Sequence, residues 1–143
     1  MKPLNEMKLI IDSRSVNEAF SRVSVAAFIA QLDPTLEEIN DIKTAVSEAV
    51  TNCIVHAYPE SLGKIYISAA VFENGTVRVK IKDKGVGIAD IEKAMQPLYS
   101  SLGGERAGLG FAVMESFTDK IRVSSKEGRG TTVTLIKKIS GRT

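Results

Sequence analysis

The chain has 143 residues, 43% hydrophobic and 25% charged, a composition that favours one soluble domain with its own core, residues 1–143. The net charge is only +2 and the basic residues are spread along the chain, which argues against direct binding of nucleic acid. There is one cysteine, no apolar run of membrane-spanning length and no apolar core of a signal peptide, so we expect a cytosolic protein that does not enter a membrane.

Hydrophobic spacing and turn residues predict strands in hairpins, separated by pairs of helices. The second helix begins after Pro34, with Thr35 as its N-cap and acidic residues in its first turn. In chain order we predict a strand at 8–12, helices at 13–32 and 35–58, strands at 64–72 and 76–83, helices at 88–98 and 109–117, and strands at 120–125 and 131–139. Because the strands do not alternate singly with helices, we predict an α+β two-layer sandwich: a mixed, mostly antiparallel sheet with helices on one face.

The first predicted helix has two apolar stripes, although a helix lying on a sheet needs only one. One stripe consists of Val16, Ala19, Phe20, Val23, Ala27 and Ala30, and the other of Val25, Phe28, Ile29 and Leu32. The additional stripe is either covered by neighbouring loops or contacts a subunit or partner protein. Glu18 and Arg22 lie in the polar gap between the stripes and are candidates for a charged partner contact.

Glu48 and Asn52 lie four residues apart on the second predicted helix, roughly opposite its apolar stripe. One interpretation is a solvated helix face. The other is chemical: an amide oxygen suits Mg²⁺, and a carboxylate one turn away can orient a hydroxyl for attack on a phosphoryl group.

Asp83 ends a predicted strand and is followed by Gly85 and Gly87. A carboxylate there can accept a hydrogen bond from an exocyclic amino group such as that of adenine, and glycines let a flat ring approach the main chain. A glycine-rich turn without a ligand is the alternative.

Gly108 and Gly110 stand near the predicted start of a later helix, where main-chain N–H groups and the helix dipole favour an anion. Arg106 precedes them and can pair with a terminal phosphate, while the loop at 98–107 can close over a nucleotide. An ordinary surface loop is the alternative. Thr131, at the start of the last strand, has a hydroxyl that can reach a base through water.

Taken in order, the segments EAVTN (48–52), DKGVG (83–87), GLGF (108–111) and GTT (130–132) resemble the GHKL ATPases, the superfamily of gyrase, histidine kinases and bacterial switch kinases. Within it the chain is similar to the anti-sigma-F serine kinases of sporulating bacteria. The resemblance implies the Bergerat fold, with ATP or ADP and Mg²⁺ as cofactors. Its implied roles are Glu48 as catalytic base, Asn52 as Mg²⁺ ligand, Asp83 as the adenine-binding acid with Gly85 and Gly87 beside it, Arg106 at the γ-phosphate, Gly108 and Gly110 at the phosphates, and Arg22 on the sigma-binding surface.

The resemblance further implies a homodimer that binds a sigma factor and phosphorylates a serine of an anti-anti-sigma factor, without contacting nucleic acid itself. Two alternatives remain at this point. One is a related switch kinase that regulates a stress-response sigma factor. The other is a nucleotide-sensing binding module that transfers no phosphate.

Overall fold

The computed structural model describes residues 2–88 and 104–141, and for residues 104–109 it describes the backbone alone. The predicted helix at 88–98 and most of the predicted loop after it therefore lie outside the described residues. In chain order the elements are β1 (Asn5–Asp12), α1 (Val16–Ile29), a 3₁₀ turn (Ala30–Leu32), α2 (Leu36–Asn52), a π-helix (Cys53–Ala57), β2 (Lys64–Val71), β3 (Thr76–Asp83), α3 (Gly104–Phe117), β4 (Lys120–Lys126) and β5 (Gly130–Lys138).

The five strands form one sheet in the order β1-β2-β3-β5-β4, and each described pair is antiparallel. The predicted α+β class is confirmed, and no parallel pair occurs among the described strands. The two hairpins, β2–β3 and β4–β5, meet through β3 and β5. This pairing places Asp83, the last residue of β3, opposite Thr131 near the start of β5.

One face of the sheet forms the core, because buried and exposed residues alternate along the strands. Val77, Val79 and Ile81 of β3 are buried, while Lys80 and Lys82, which flank Ile81, are exposed. The helices cover the buried face with side chains that include Val25 and Ile29 of α1, Ile42, Val46 and Val50 of α2, and Phe111 and Met114 of α3.

The opposite face of the sheet is rich in basic side chains. The register aligns Lys8, Lys80 and Arg122 in one row across the sheet, with Ser68 and Thr134 between them. The three basic residues are exposed. Charges that are scattered along the sequence are thus gathered on one surface by strand pairing.

The start of α2 is fixed by reciprocal hydrogen bonds, and Thr35 is the N-cap residue that the sequence predicts. The Thr35 hydroxyl accepts from the Glu38 backbone N–H at 3.1 Å, and the Glu38 carboxylate accepts from the Thr35 N–H at 2.9 Å. Glu38 also accepts from the backbone N–H groups of Ser140 and Gly141, which follow β5. This capping box therefore anchors both the helix and the last described residues.

Helices long and apolar enough to cross a membrane are not found in the described part of the chain.

Replacing the cap residue tests this anchoring. Thr35→Ala should lower the free energy of unfolding by about 1 kcal/mol, because the N–H of Glu38 loses its acceptor. Thr35→Ser keeps the hydroxyl and should stay close to the wild-type value. Urea denaturation of the three proteins makes the comparison, and equal stability of all three would show that the cap contributes nothing.

Candidate functional site

The two apolar stripes of α1 have different surroundings. Val25 and Ile29 are fully buried against the sheet, as expected of a helix in the core layer. Val16, Phe20 and Val23 of the other stripe are 71%, 50% and 56% exposed. The stripe that contains Val16, Phe20 and Val23 is therefore an apolar surface exposed to solvent.

Glu18 and Arg22 connect this helix to α2. Their side chains form an ion pair, with Arg22 Nε 3.8 Å from Glu18 Oε1. The Ser47 hydroxyl of α2 donates a hydrogen bond to Glu18 Oε1. A groove of about 280 Å³ lies between the two helices, and Glu48 is one of the residues that line it. Its lining is Arg22, Asn40, Lys43, Thr44, Ser47 and Glu48.

Glu48 and Asn52 face α3 at the point where that helix has a glycine. A Cβ added to Gly110 would lie 3.3 Å from Glu48 Oε2 and 3.3 Å from both Oδ1 and Nδ2 of Asn52. The buried Asn52 Nδ2 has no hydrogen-bond partner among the described residues. The half-buried carboxylate of Glu48 and the amide of Asn52, which has unused hydrogen-bonding capacity, thus lie beside the same small space. Any residue larger than glycine at position 110 would narrow that space.

Asp83 is buried at the end of β3 and is held by three donors. Its Oδ1 accepts from the backbone N–H of Gly85 at 3.0 Å and from that of Thr131 at 3.2 Å. Its Oδ2 accepts from the Cys53 thiol, with the sulfur 3.5 Å away. Burial raises the pKa of Asp83 above its ordinary value, and the three hydrogen bonds oppose this increase without cancelling it.

Cys53 is the first residue of the π-helix that follows α2, and its side chain is buried. Burial, together with the neighbouring Asp83 charge and the hydrogen bond to it, raises the pKa of the thiol well above its ordinary value, so the thiol keeps its proton. Sequence analysis missed the contact with Asp83. Thirty residues separate Cys53 from Asp83, and local sequence patterns do not predict a contact between a helix and a strand that are this far apart in the chain.

A π-helix, Cys53–Ala57, takes the place of the last turns predicted for α2. The Ala57 carbonyl accepts from the Val86 N–H at 3.1 Å. A Cβ on Gly85 would lie 2.2 Å from the same carbonyl oxygen, so the segment after β3 can approach the π-helix only with glycine there. Such π-helices occur often at functional sites.

Gly87 and Thr131 are fixed by the β4–β5 hairpin. Gly87 has φ +75°, and a Cβ there would lie 2.2 Å from the Lys126 carbonyl oxygen. The Thr131 hydroxyl is hydrogen-bonded to the Ser125 hydroxyl at 2.7 Å, while its backbone N–H binds Asp83. Packing within the chain therefore already requires Gly87, and the water-mediated contact of Thr131 with a base remains a prediction.

Helix α3 begins earlier in the chain than the helix that the sequence predicts at 109–117. It runs from Gly104, so Gly108 is its fifth residue and Gly110 its seventh, and neither lies at the helix start. Only the first four N–H groups of an α-helix lack intrahelical partners, which places the free donors at residues 104–107. Glu105, Arg106 and Ala107 are good helix formers, and their propensity outweighs the flanking glycines. The Arg106 side chain lies outside the described residues.

Comparison with known proteins identifies the class to which this arrangement belongs. A family model described as "Histidine kinase-like ATPase domain" matches residues 12–137. The solved structure of the RsbU and RsbW domains of Rv1364c from Mycobacterium tuberculosis aligns with 96% of this chain and 33% of that chain, with a TM-score of 0.70 and 24% identity. The histidine kinase domain of the Erythrobacter litoralis EL346 blue-light activated histidine kinase aligns with 86% of this chain and 61% of that chain, with a TM-score of 0.57 and 23% identity. These two likenesses are of fold alone.

Relatives in sequence narrow the class. The "Anti-sigma F factor" of Caldanaerobacter subterraneus subsp. tengcongensis is 55% identical over 136 residues, 94% of each chain. That of Pasteuria penetrans is 53% identical over 137 residues, 94% of this chain and 91% of its own. That of Clostridium acetobutylicum is 51% identical over 137 residues, 95% of each chain. The chain therefore belongs to the anti-sigma F factor family of histidine kinase-like ATPase domains.

The raised pKa of Asp83 predicts an unusual dependence of stability on pH. The folded protein keeps the Asp83 proton at a pH where the unfolded chain has lost it. The contribution of Asp83 to the free energy of unfolding is therefore largest below the ordinary aspartate pKa of about 4 and falls as the pH rises through the folded pKa. The stability difference between wild type and Asp83→Asn, from urea denaturation at a series of pH values, should decrease from about pH 4 upward.

Asp12 provides a matched control of opposite sign. The hydrogen bond and charge of Lys64 lower the pKa of Asp12, so its contribution is present above the unfolded pKa and is lost as the pH falls. The difference between wild type and Asp12→Asn should rise as the pH approaches about 4 from below and stay level above it, where the Asp83 difference decreases. Parallel trends for the two variants would contradict the assignment.

Proposed function

We propose that the protein is a cytosolic, Mg²⁺-dependent serine protein kinase that also binds a sigma factor and phosphorylates the anti-anti-sigma factor opposing it. The main support is the position of Gly110, where a Cβ would lie 3.3 Å from both the Glu48 carboxylate and the Asn52 amide. The Glu48 carboxylate and the Asn52 amide thus border one narrow space beside a glycine segment, which supports the proposed roles of base and ion-binding group. A solvated helix face, the alternative interpretation of Glu48 and Asn52, does not account for this contact with α3.

The adenine of ATP or ADP is expected at Asp83. The carboxylate accepts hydrogen bonds and is fixed by its neighbours, as recognition of an exocyclic amino group requires. Gly85 and Gly87 bring the main chain close to this position, and Thr131 holds Asp83 from the opposite strand.

The residues present fit a Mg²⁺–ATP complex. Asn52 Nδ2 is buried without a described partner, and rotation of the amide would offer either the oxygen to an ion or the nitrogen to a phosphate oxygen. Gly108 and Gly110 lie on the helix that faces this amide, and Arg106 precedes them. When bound, the ion would neutralise charge on the phosphoryl group during transfer.

Glu48 is placed to act on the protein substrate. Its carboxylate would accept the proton of a serine hydroxyl while the serine oxygen bonds to the γ-phosphorus and ADP leaves with the electrons of the broken P–O bond. The groove from Arg22 to Glu48 offers a path along which an extended segment of the substrate protein could reach the carboxylate.

The exposed face of α1 suits protein partners. Its apolar stripe is open to solvent, and Arg22 and Glu18 lie beside it. Relatives at 50–55% identity are named for action against sigma F, which supports a sigma factor of that type as the partner rather than a stress-response sigma factor. We further propose a homodimer, in which part of this apolar face is buried by a second copy.

Glu48→Gln tests the catalytic assignment. The amide cannot accept the serine proton, so the rate of transfer from labelled ATP to the anti-anti-sigma factor should fall about a hundredfold or more, while ATP still binds in calorimetry. Glu37→Gln, an exposed change at the other end of α2, is the matched control and should react like wild type. A Glu48→Gln rate within threefold of wild type would remove Glu48 as the base. Wild-type protein that binds ATP but labels no serine would indicate a nucleotide-sensing module instead.

Arg22→Ala tests the partner surface. Arginine residues in interfaces often contribute strongly to binding, so affinity for a sigma-F-type factor should fall about tenfold at saturating ATP. Arg122→Ala removes an exposed cation from the other face of the sheet and should leave that affinity unchanged. Equal losses for both variants would point to a general charge effect, measurable as a matching dependence on salt.

A further inference from the structure

The two oxygens of Asp83 have different partners. Oδ1 accepts from two backbone N–H groups, those of Gly85 and Thr131, whereas Oδ2 accepts from the Cys53 thiol. An ionised carboxylate has about four acceptor positions, of which these three donors occupy three. One position is left, and its direction is set by the groups that hold the other three.

The Cys53 thiol is held in place by its burial in the core. Cys53 is 4% exposed, lies in the core cluster and is the first residue of the π-helix. The last residue of that π-helix, Ala57, accepts a hydrogen bond from Val86. The two ends of the π-helix thus hold the chain at and just after the end of β3. The Cys53 thiol is hydrogen-bonded to Asp83, and the Ala57 carbonyl is hydrogen-bonded to Val86.

We infer that Cys53 is a positioning residue for nucleotide selectivity, whose thiol orients Oδ2 of Asp83 so that its remaining acceptor position faces the 6-amino group of adenine. This inference rests on the proposed binding of adenine at Asp83. With Cys53 removed, Oδ2 loses a donor and the carboxylate can turn about its last torsion, which is intrinsically broad. The hydrogen bond to the amino group then weakens, although the nucleotide still fits.

The test compares two nucleotides that differ only in this group. ATP has the 6-amino group, and purine riboside triphosphate has hydrogen in its place. Calorimetry with Mg²⁺ should show that wild type prefers ATP. In Cys53→Ala, ATP affinity should fall about threefold to tenfold, the usual effect of one hydrogen bond, while affinity for the analogue changes less than twofold. Cys53→Ser retains a donor of similar size and should keep most of the preference for ATP.

A double-mutant cycle separates positioning from packing. If Cys53 acts through Asp83, adding Cys53→Ala to Asp83→Asn should cause no further loss of ATP affinity. A cavity effect of the smaller side chain would instead weaken both nucleotides equally and would persist in the Asp83→Asn background. That result would overturn the inference.

The thiol also provides a direct spectroscopic signature. Cys53 is the one cysteine of the chain, so the S–H stretching band in the infrared spectrum belongs to it alone. Asp83→Asn should shift this band in the nucleotide-free protein, because an amide is a weaker acceptor than a carboxylate. An unchanged band would show that the thiol does not donate to Asp83.

The outcomes distinguish this inference from the function on which it rests. Wild type that binds ATP and the analogue equally would overturn adenine recognition by Asp83 and the role of Cys53 with it. Wild type that prefers ATP, with Cys53→Ala preferring it to the same extent, would overturn the role of Cys53 alone. If Cys53→Ala does not fold, Cys53→Ser and the infrared band still decide the question.

Discussion

The site depends on the contacts that the end of α2 makes on two sides. Within residues 48–53, Glu48 and Asn52 face Gly110 of α3, and Cys53 reaches Asp83 at the end of β3. These residues span little more than one helical turn, so the distance between the two contacts is set by the rigid geometry of the helix. Segments distant in the sequence are thereby brought to one place.

Close backbone packing is the second constraint. Gly85 and Gly87 each lie where a Cβ would be 2.2 Å from a carbonyl oxygen, at Ala57 and Lys126 respectively. Sequence reasoning assigned these glycines to the approach of a ligand, but the fold itself requires them. The two reasons are compatible, since a main chain held this tightly would also give Asp83 a fixed position for the proposed contact with adenine.

Two exposed surfaces of the protein differ in chemistry: one on α1 is apolar, and the open face of the sheet is basic. The exposed stripe of α1 is apolar and adjoins the groove lined by Glu48, so the proposed partner surface would lie beside the proposed catalytic carboxylate. The open face of the sheet is basic, with Lys8, Lys80 and Arg122 in one row. The nearly neutral net charge of the chain conceals this separation, because charge balance along a sequence says nothing about which face receives each charge.

Local patterns in the sequence determined the strands, the Thr35 cap, the core stripe of α2 and the apolar excess of α1, because alternation, helical spacing and capping act between residues that are close in the chain. They also selected Glu48, Asn52 and Asp83, whose residue types suit the chemistry. The π-helix and the Cys53–Asp83 contact were decided only by tertiary structure. Each depends on packing between elements tens of residues apart, where the free energy of burial and of long-range hydrogen bonds overrides local preference.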